Sequence, residues 1–389
     1  MFKILTLNNI SVSGLDRLPR DNYEIASEIQ HPDAVLVRSF KMHDWPIPQT
    51  LQAIGRAGAG VNNIPIDSMT AQGIPVFNTP GANANAVQEL VLTGMLLSAR
   101  NICSAWEFAK NLEGSDAQIN KQVEAGKKKF VGFELPGKTL GIVGLGAIGI
   151  KIANTAVSLG MRVIGYDPKI TVQSAWQLSH KVEQANSIEM LLSHCDFVTF
   201  HVPLVDSTRN MINAERLTSM RDNVTILNFA RSGIIDDEAV IEALDNGKVH
   251  AYVCDFPSNL LKQHPKVITL PHLGASTTEA EDNCAIMVAE QIKDYLENGN
   301  IRNAVNFPSI KMTRSEKHYR LTIAHENIPN IIGPITNAIA EADVNIIDML
   351  NRSLNQAAYT LIDTESKLSL AVLEQIKAFD GVLNVRCLA

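Results

Sequence analysis

The sequence holds few cysteines, no long apolar run and no excess of basic charge. Its five cysteines, Cys103, Cys195, Cys254, Cys284 and Cys387, form no CxxC pair and none of the spacings of a disulfide framework. A reducing, cytoplasmic setting is therefore expected, and no metal site. Cys254 lies inside an apolar run and reads as a buried, inert thiol rather than a nucleophile. No stretch of about 18 apolar residues occurs, so no transmembrane helix is expected. The opening MFKILTLNNI reads as a first β-strand, not as a leader. A formal net charge of −7 argues against a general binder of nucleic acid or anionic membrane, though it leaves room for a local basic pocket. No internal repeat or low-complexity tract stands out.

What is present suits a multidomain α/β chain. At 389 residues, 46% of them hydrophobic, the chain is long enough for two or three cores. Residues 3–7, 34–38, 51–57 and 75–77 are short apolar strands joined by weaker helical patterns, the rhythm of a parallel α/β unit. Residues 86–102 have one-sided helical spacing, with Asn83 or Asn85 placed to cap the start. The polar stretch 111–129, with its KKK, reads as a surface connection. A second α/β unit follows: strand 138–143, helix 147–159, strand 162–166, then FVTFHVPL, TILNFAR, HAYVCDF and VITLPHLG. A long amphipathic helix spans 277–298, and NGNIRNAVNFP marks a boundary. Beyond it the order is βαββαβ: strand 319–326, helix 331–342, strands 345–354 and 357–365, helix 368–379, strand 382–388. That is a ferredoxin-like unit.

Gly144-Leu145-Gly146-Ala147-Ile148-Gly149 is a GxGxxG sequence. Alone it is a weak signal. Here a strand precedes it, a helix follows, and Asp167 ends the next strand about 20 residues on, which completes the arrangement that binds NAD. The glycines admit the pyrophosphate to the backbone, and the helix N-terminus favours its charge. Asp167 would accept hydrogen bonds from the ribose hydroxyls and repel an added 2′-phosphate, so NAD is expected over NADP. Two histidines, His201 and His272, follow strands of this unit, and the residues alone do not choose between them as an acid/base.

From here the sequence resembles the D-isomer-specific 2-hydroxyacid dehydrogenases. The resemblance is carried by ELPGKTLGIVGLGAIG, HVPL, NFARSGIIDDEAV and PHLGAST and covers about residues 35–310. It implies a Rossmann nucleotide domain, 96–276, inserted into a flavodoxin-like substrate domain formed by 1–95 and 277–312, with the active site in the cleft. It assigns Arg231 to the substrate carboxylate, through paired hydrogen bonds, and His272 to the hydroxyl proton. His201 is left as a wall of the nicotinamide site. Cofactor contacts fall to Gly144, Gly146, Ala147, Ile148, Gly149, Asp167, Val202, Phe229, Ala230, Asp255, Gly274 and Ala275. The family's usual glutamate partner of the histidine is missing: the phrase at 255–260 is DFPSNL.

Upstream, VRS and GRAGAGVNNI resemble the branch of the family that oxidises phosphoglycerate. That implies a phosphate site at Arg38 and Arg56, with Ser39, and backbone amides of Gly58 and Gly60 free for the substrate carboxylate. The implied substrate pair is D-3-phosphoglycerate and 3-phosphohydroxypyruvate, at the entry to serine synthesis. Rival readings are a dehydrogenase of glyoxylate, hydroxypyruvate or 2-hydroxyglutarate, and a non-catalytic NAD(H) sensor. Lys127–Lys129 could add a phosphate contact but reads more simply as a solvated run. The segment 318–389 resembles an ACT domain through HENIPN and VNI. By that resemblance His325, Asn327 and Asn345 would bind L-serine as effector, and Asn330 stands where a glycine is usual. A homo-oligomer, a tetramer, is the expectation of the family, with neither nucleic acid nor membrane as partner.

Overall fold

The computed structural model describes residues 1–315 and 317–388. Three sheets carry the fold. The first contains β1 (Phe2–Leu7), β2 (Tyr23–Ala26), β3 (Ala34–Val37), β4 (Ala53–Arg56) and β5 (Val76–Phe77), all parallel, in the order β2-β1-β3-β4-β5. This is the flavodoxin-like order. The second contains β6 (Thr139–Val143), β7 (Arg162–Tyr166), β8 (Glu183–Gln184), β9 (Phe197–Phe200), β10 (Val224–Asn228), β11 (Val249–Cys254) and β12 (Val267–Thr269). Its parallel order, β12-β11-β10-β9-β6-β7-β8, is that of a Rossmann sheet with one added strand. The third is antiparallel: β13 (Tyr319–Glu326), β14 (Ile346–Leu354), β15 (Ala357–Thr364) and β16 (Val382–Leu388), in the order β14-β15-β13-β16. With the helices Ile332–Glu341 and Leu370–Lys377 it completes the βαββαβ unit.

The chain divides into two compact units, one of residues 1–82 and 278–389, the other of 83–277. This moves the first boundary from residue 95 to 82. The Ala84–Ala99 helix buries Val87, Val91, Met95 and Ala99 in one apolar cluster with Leu140, Ile152 and Val253, so it belongs wholly to the second unit. Residues 111–129 are also not a plain connection. Asp116–Gly126 is a helix and Lys127–Phe130 a 3₁₀ turn, entered through a Ser115–Gln118 capping box.

In the first unit the Thr278–Asn298 helix packs across the first sheet. Val288, Ile292, Tyr295 and Leu296 share a cluster with Ile4, Leu36 and Phe77. Gly55 in β4 is needed there, because a Cβ would stand 2.5 Å from Val288. After the helix the chain returns to the sheet edge. Asn306 accepts the Val76 amide at 2.8 Å and donates to Ile74 O at 2.9 Å.

The third sheet docks on this same helix and its exit. Arg320 of β13 is fully buried. It donates all five of its N–H groups: two to Asp363, each at 2.7 Å, and one each to the carbonyls of Asn298, Met312 and Thr313 at 3.0, 2.8 and 3.1 Å. Arg386 of β16 stacks 4.4 Å over the Tyr295 ring and donates to Leu296 O at 3.1 Å, a cation set on the last carbonyls of a helix. Tyr359 OH donates to Gly299 O at 3.0 Å. Among the described residues no helix is long and apolar enough to cross a membrane.

Candidate active site

In the second unit the glycine-rich loop follows β6, at the point where the strand order reverses between β6 and β9. Ligands of open parallel sheets bind at such a point. Gly144 has φ +95°, and a Cβ on it would press on His201 O and Val202. A Cβ on Gly149 would lie on Gly144 O, whereas one on Gly146 would meet no atom within 4 Å. Two of the glycines are thus required by the turn, and the middle one faces open space beside the N-terminus of the Ala147–Ser158 helix. Asp167 follows β7, with Oδ2 accepting the Leu145 amide at 2.9 Å and Oδ1 the Lys169 amide at 2.8 Å. The carboxylate is held by the loop it serves and keeps lone pairs for two ribose hydroxyls. These residues fit a dinucleotide.

Phe229 and Ala230 follow β10, and both are buried in apolar clusters. Phe229 packs against Gly94. Its side chain is therefore core, and only its backbone is left to a cofactor. Arg231 comes next and is exposed. Its loop is braced by buried Asn228, whose Nδ2 donates to Arg231 O at 3.0 Å and whose Oδ1 accepts the Ala230 amide at 3.2 Å. Asn228 had been given no role on sequence grounds. Its place at a strand end inside NFAR was the available signal.

His272 is exposed and sits at φ +46°, a left-handed backbone uncommon outside glycine and asparagine. Its amide donates to Asp255 O at 3.1 Å, and its ring meets Phe256 edge-on at 5.1 Å. The ring makes no hydrogen bond to a described residue. Asp255 is 1% exposed, and its Oδ1 has no hydrogen-bond partner among the described residues. Burial pushes its carboxyl above the usual range, opposed first by the charge of His272 and also by that of Arg231. Gly274 is buried beside Asp255, and Ala275 is half-buried.

His201 lies at the end of β9, its amide bonded to Val143 O at 2.8 Å. Nε2 pairs with Thr199 Oγ1 at 2.9 Å, and the buried Nδ1 has no partner among the described residues. Burial pushes its pKa down to about 3, so it is a neutral ring near neutrality and a poor proton carrier.

In the first unit Arg38 and Arg56 end the neighbouring strands β3 and β4. Arg56 Nε donates to Arg38 O at 3.0 Å, as does Asn63 Nδ2 at 3.3 Å. The guanidinium of Arg56 folds against residue 58, where a Cβ would collide with it, so glycine is required. The Gly58 amide is not free for a carboxylate: it donates to Arg56 O at 2.9 Å. The Gly60 amide has no partner among the described residues. The Ser39 amide donates to Asn8 Oδ1 at 3.0 Å, leaving the Ser39 hydroxyl exposed. Lys127 pairs with Glu124.

In the third sheet His325 is 1% exposed, and both ring nitrogens are engaged, with Glu326 O at 2.7 Å and Thr360 Oγ1 at 2.9 Å. It is a satisfied interior residue. Asn327 and Asn345 are exposed, and Asn327 donates to Asn355 O at 3.0 Å. Asn330 adopts φ +60°, so it keeps the left-handed turn that glycine would supply.

Comparison with known proteins places these features. The family model described as D-isomer specific 2-hydroxyacid dehydrogenase, NAD binding domain, matches residues 102–274. A D-3-phosphoglycerate dehydrogenase of Methanocaldococcus jannaschii is 37% identical over 84% of this chain and 61% of its own length. One of Haemophilus influenzae is 33% identical over 87% of this chain and 81% of its own. The chain thus spans about three fifths of the archaeal relative and four fifths of the bacterial one. The solved structure of an NAD⁺-bound 3-phosphoglycerate dehydrogenase of Entamoeba histolytica matches with a TM-score of 0.60 and 27% identity, covering 78% of this chain and 98% of that one. The chain is an NAD-binding member of the D-isomer-specific 2-hydroxyacid dehydrogenase family, and over most of its length it is similar to the members named D-3-phosphoglycerate dehydrogenase.

Proposed function

We propose that this protein oxidises D-3-phosphoglycerate at C2 to 3-phosphohydroxypyruvate, the first step toward L-serine. The observation that carries the substrate choice is the pair Arg38 and Arg56 at adjacent strand ends, tied through Arg38 O. Two guanidinium groups match a phosphate dianion and exceed what the tail of glyoxylate or hydroxypyruvate would need. NAD, when bound, supplies the acceptor for the hydride that leaves C2. Gly144, Gly146 and Gly149 give the pyrophosphate its approach, and Asp167 takes the ribose hydroxyls. Asp255 offers its buried Oδ1 to the carboxamide N–H. Arg231 holds the substrate carboxylate and the C2 oxygen. His272 accepts the C2 hydroxyl proton as the carbonyl forms, and donates it in reverse.

The ferredoxin-like unit supports a regulatory reading, with L-serine as effector. Its polar contacts would fall to Asn327 and Asn345 rather than to His325, which is sealed in the sheet. A homo-oligomer located in the cytoplasm completes the proposal.

The test is a steady-state NADH assay with 3-phosphohydroxypyruvate, hydroxypyruvate, glyoxylate and 2-oxoglutarate. The highest kcat/KM should belong to the phosphorylated substrate. Preference for one of the others refutes the substrate assignment, and no turnover of any would favour an NAD(H) sensor.

A further inference from the structure

Arg38 does not stand alone in the first unit. Its Nη2 lies 2.7 Å from Glu281 Oε1, in the first turn of the Thr278–Asn298 helix. Both side chains keep solvent contact, at 36% and 44% exposure, so the pair can open without a rearrangement of the core. The backbones on each side are fixed. Arg38 O is held by Arg56 and Asn63. The helix is tied to its surroundings by Ser11 on Asp282, by Tyr23 OH on Glu297 at 2.7 Å, and by Arg386 over Tyr295. The charges of Arg56, Arg38 and Glu281 all act on the buried thiol of Cys284, so the three form one cluster. A carboxylate here serves neither the hydride nor the proton, and it carries the same sign as the substrate tail.

We propose that Glu281 sets the specificity of the phosphate site by acting as its resident competitor. Its carboxylate holds Arg38 in the substrate-free protein and must give Arg38 up when a phosphate dianion binds. A phosphorylated substrate offers more charge and more acceptors than a carboxylate and displaces it. A neutral hydroxymethyl tail cannot, so Arg38 stays closed against it. The inference rests on the reading of Arg38 as a phosphate ligand and adds the residue that opposes it.

The experiment uses the full chain with NADH at fixed ionic strength, because an exposed pair is screened by salt. For Glu281→Gln, KM for 3-phosphohydroxypyruvate should fall about two- to fivefold, the range an ion pair this exposed is worth. Neither kcat nor KM for unphosphorylated hydroxypyruvate should change. Sulfate, a dianion throughout the working pH range, should inhibit the variant more tightly by a similar factor. In an Arg38→Ala background Glu281→Gln should have no effect, and circular dichroism should show all variants folded. A raised KM for the phosphorylated substrate, or equal shifts for both substrates, overturns the proposal. If Arg38→Ala selectively raises KM for the phosphorylated substrate while Glu281→Gln changes nothing, the competitor role alone is refuted. If Arg38→Ala affects both substrates equally, the phosphate reading of Arg38 falls, and this proposal with it.

Discussion

Replacing Arg320 tests how the C-terminal sheet is held. Its guanidinium is wholly buried, and Asp363 beside it is nearly so. Arg320→Ala would leave that carboxylate charged in a dry site and strip the carbonyls of Asn298, Met312 and Thr313 of their donors. Removing one member of a buried pair typically costs about 3–5 kcal/mol. Arg320→Lys keeps the charge but has three donors for five acceptor contacts, so about 1–3 kcal/mol should be lost. Arg320→Met with Asp363→Leu removes both charges yet still strands the three carbonyls, so it should fall between wild type and Arg320→Ala. Urea unfolding followed by circular dichroism gives the free energies. Hydrogen exchange should show early loss of protection at residues 298–313 and in β13 and β15. A loss under about 1 kcal/mol in Arg320→Ala, with protection unchanged there, would show that the burial is not real in solution.

Three other outcomes follow from the same geometry. Asp167→Ala should weaken NADH binding roughly tenfold or more in a fluorescence titration and narrow the gap to NADPH, since hydrogen bonds to a charged group are lost; unchanged constants would remove Asp167 from the site. The folded-state pKa of His201 is about 3 and the unfolded value near 6.5, so the unfolded chain binds the extra proton first, and stability present above pH 6.5 is lost as pH falls toward 3. Down to pH 5 that is at most about 2 kcal/mol, less for a half-buried ring, and His201→Asn should lack this slope in urea titrations; an identical slope refutes the neutral assignment. If serine is the effector, calorimetry should detect its binding to the wild type and a clear weakening in Asn345→Ala, and equal binding by both places the site elsewhere.

Most of the strands were legible because a parallel sheet covered on both faces buries every residue of its strands, which leaves continuous apolar runs such as TLGIV and VTILN. The Asp116–Gly126 helix was not, because it buries only Gly126 and so presents no apolar stripe; its one signal was the Ser115–Gln118 capping box. The periodicity of residues 84–99 announced a helix but could not say which core receives it. Motif residues were placed well along the chain. What their side chains do was less legible where burial decides, as at His325, whose ring is spent on Thr360. The Arg38–Glu281 pair joins the first sheet to a helix after the inserted unit, and no local pattern announces it.

The glutamate missing after Asp255 leaves His272 with a different electrostatic setting, not an empty one. Sequence spacing suggested that another carboxylate would have to orient the imidazole or that none does. The structure offers Asp255, which is coupled to His272 by charge and by the backbone bond from the His272 amide, yet makes no hydrogen bond to the ring. A carboxylate that acts through space favours the imidazolium but does not fix a tautomer, since that takes a hydrogen bond to one ring nitrogen. Orientation must then come from elsewhere. Here the edge of the ring meets Phe256, and a left-handed backbone at residue 272 sets the direction in which the side chain leaves. Such a backbone costs free energy outside glycine and persists only where its surroundings enforce it. The bonds from the His272 amide to Asp255 O and Leu270 O, both 3.1 Å, are those surroundings. Charge and geometry, which a single glutamate would supply together, are supplied separately by Asp255 and by the turn that follows Leu270.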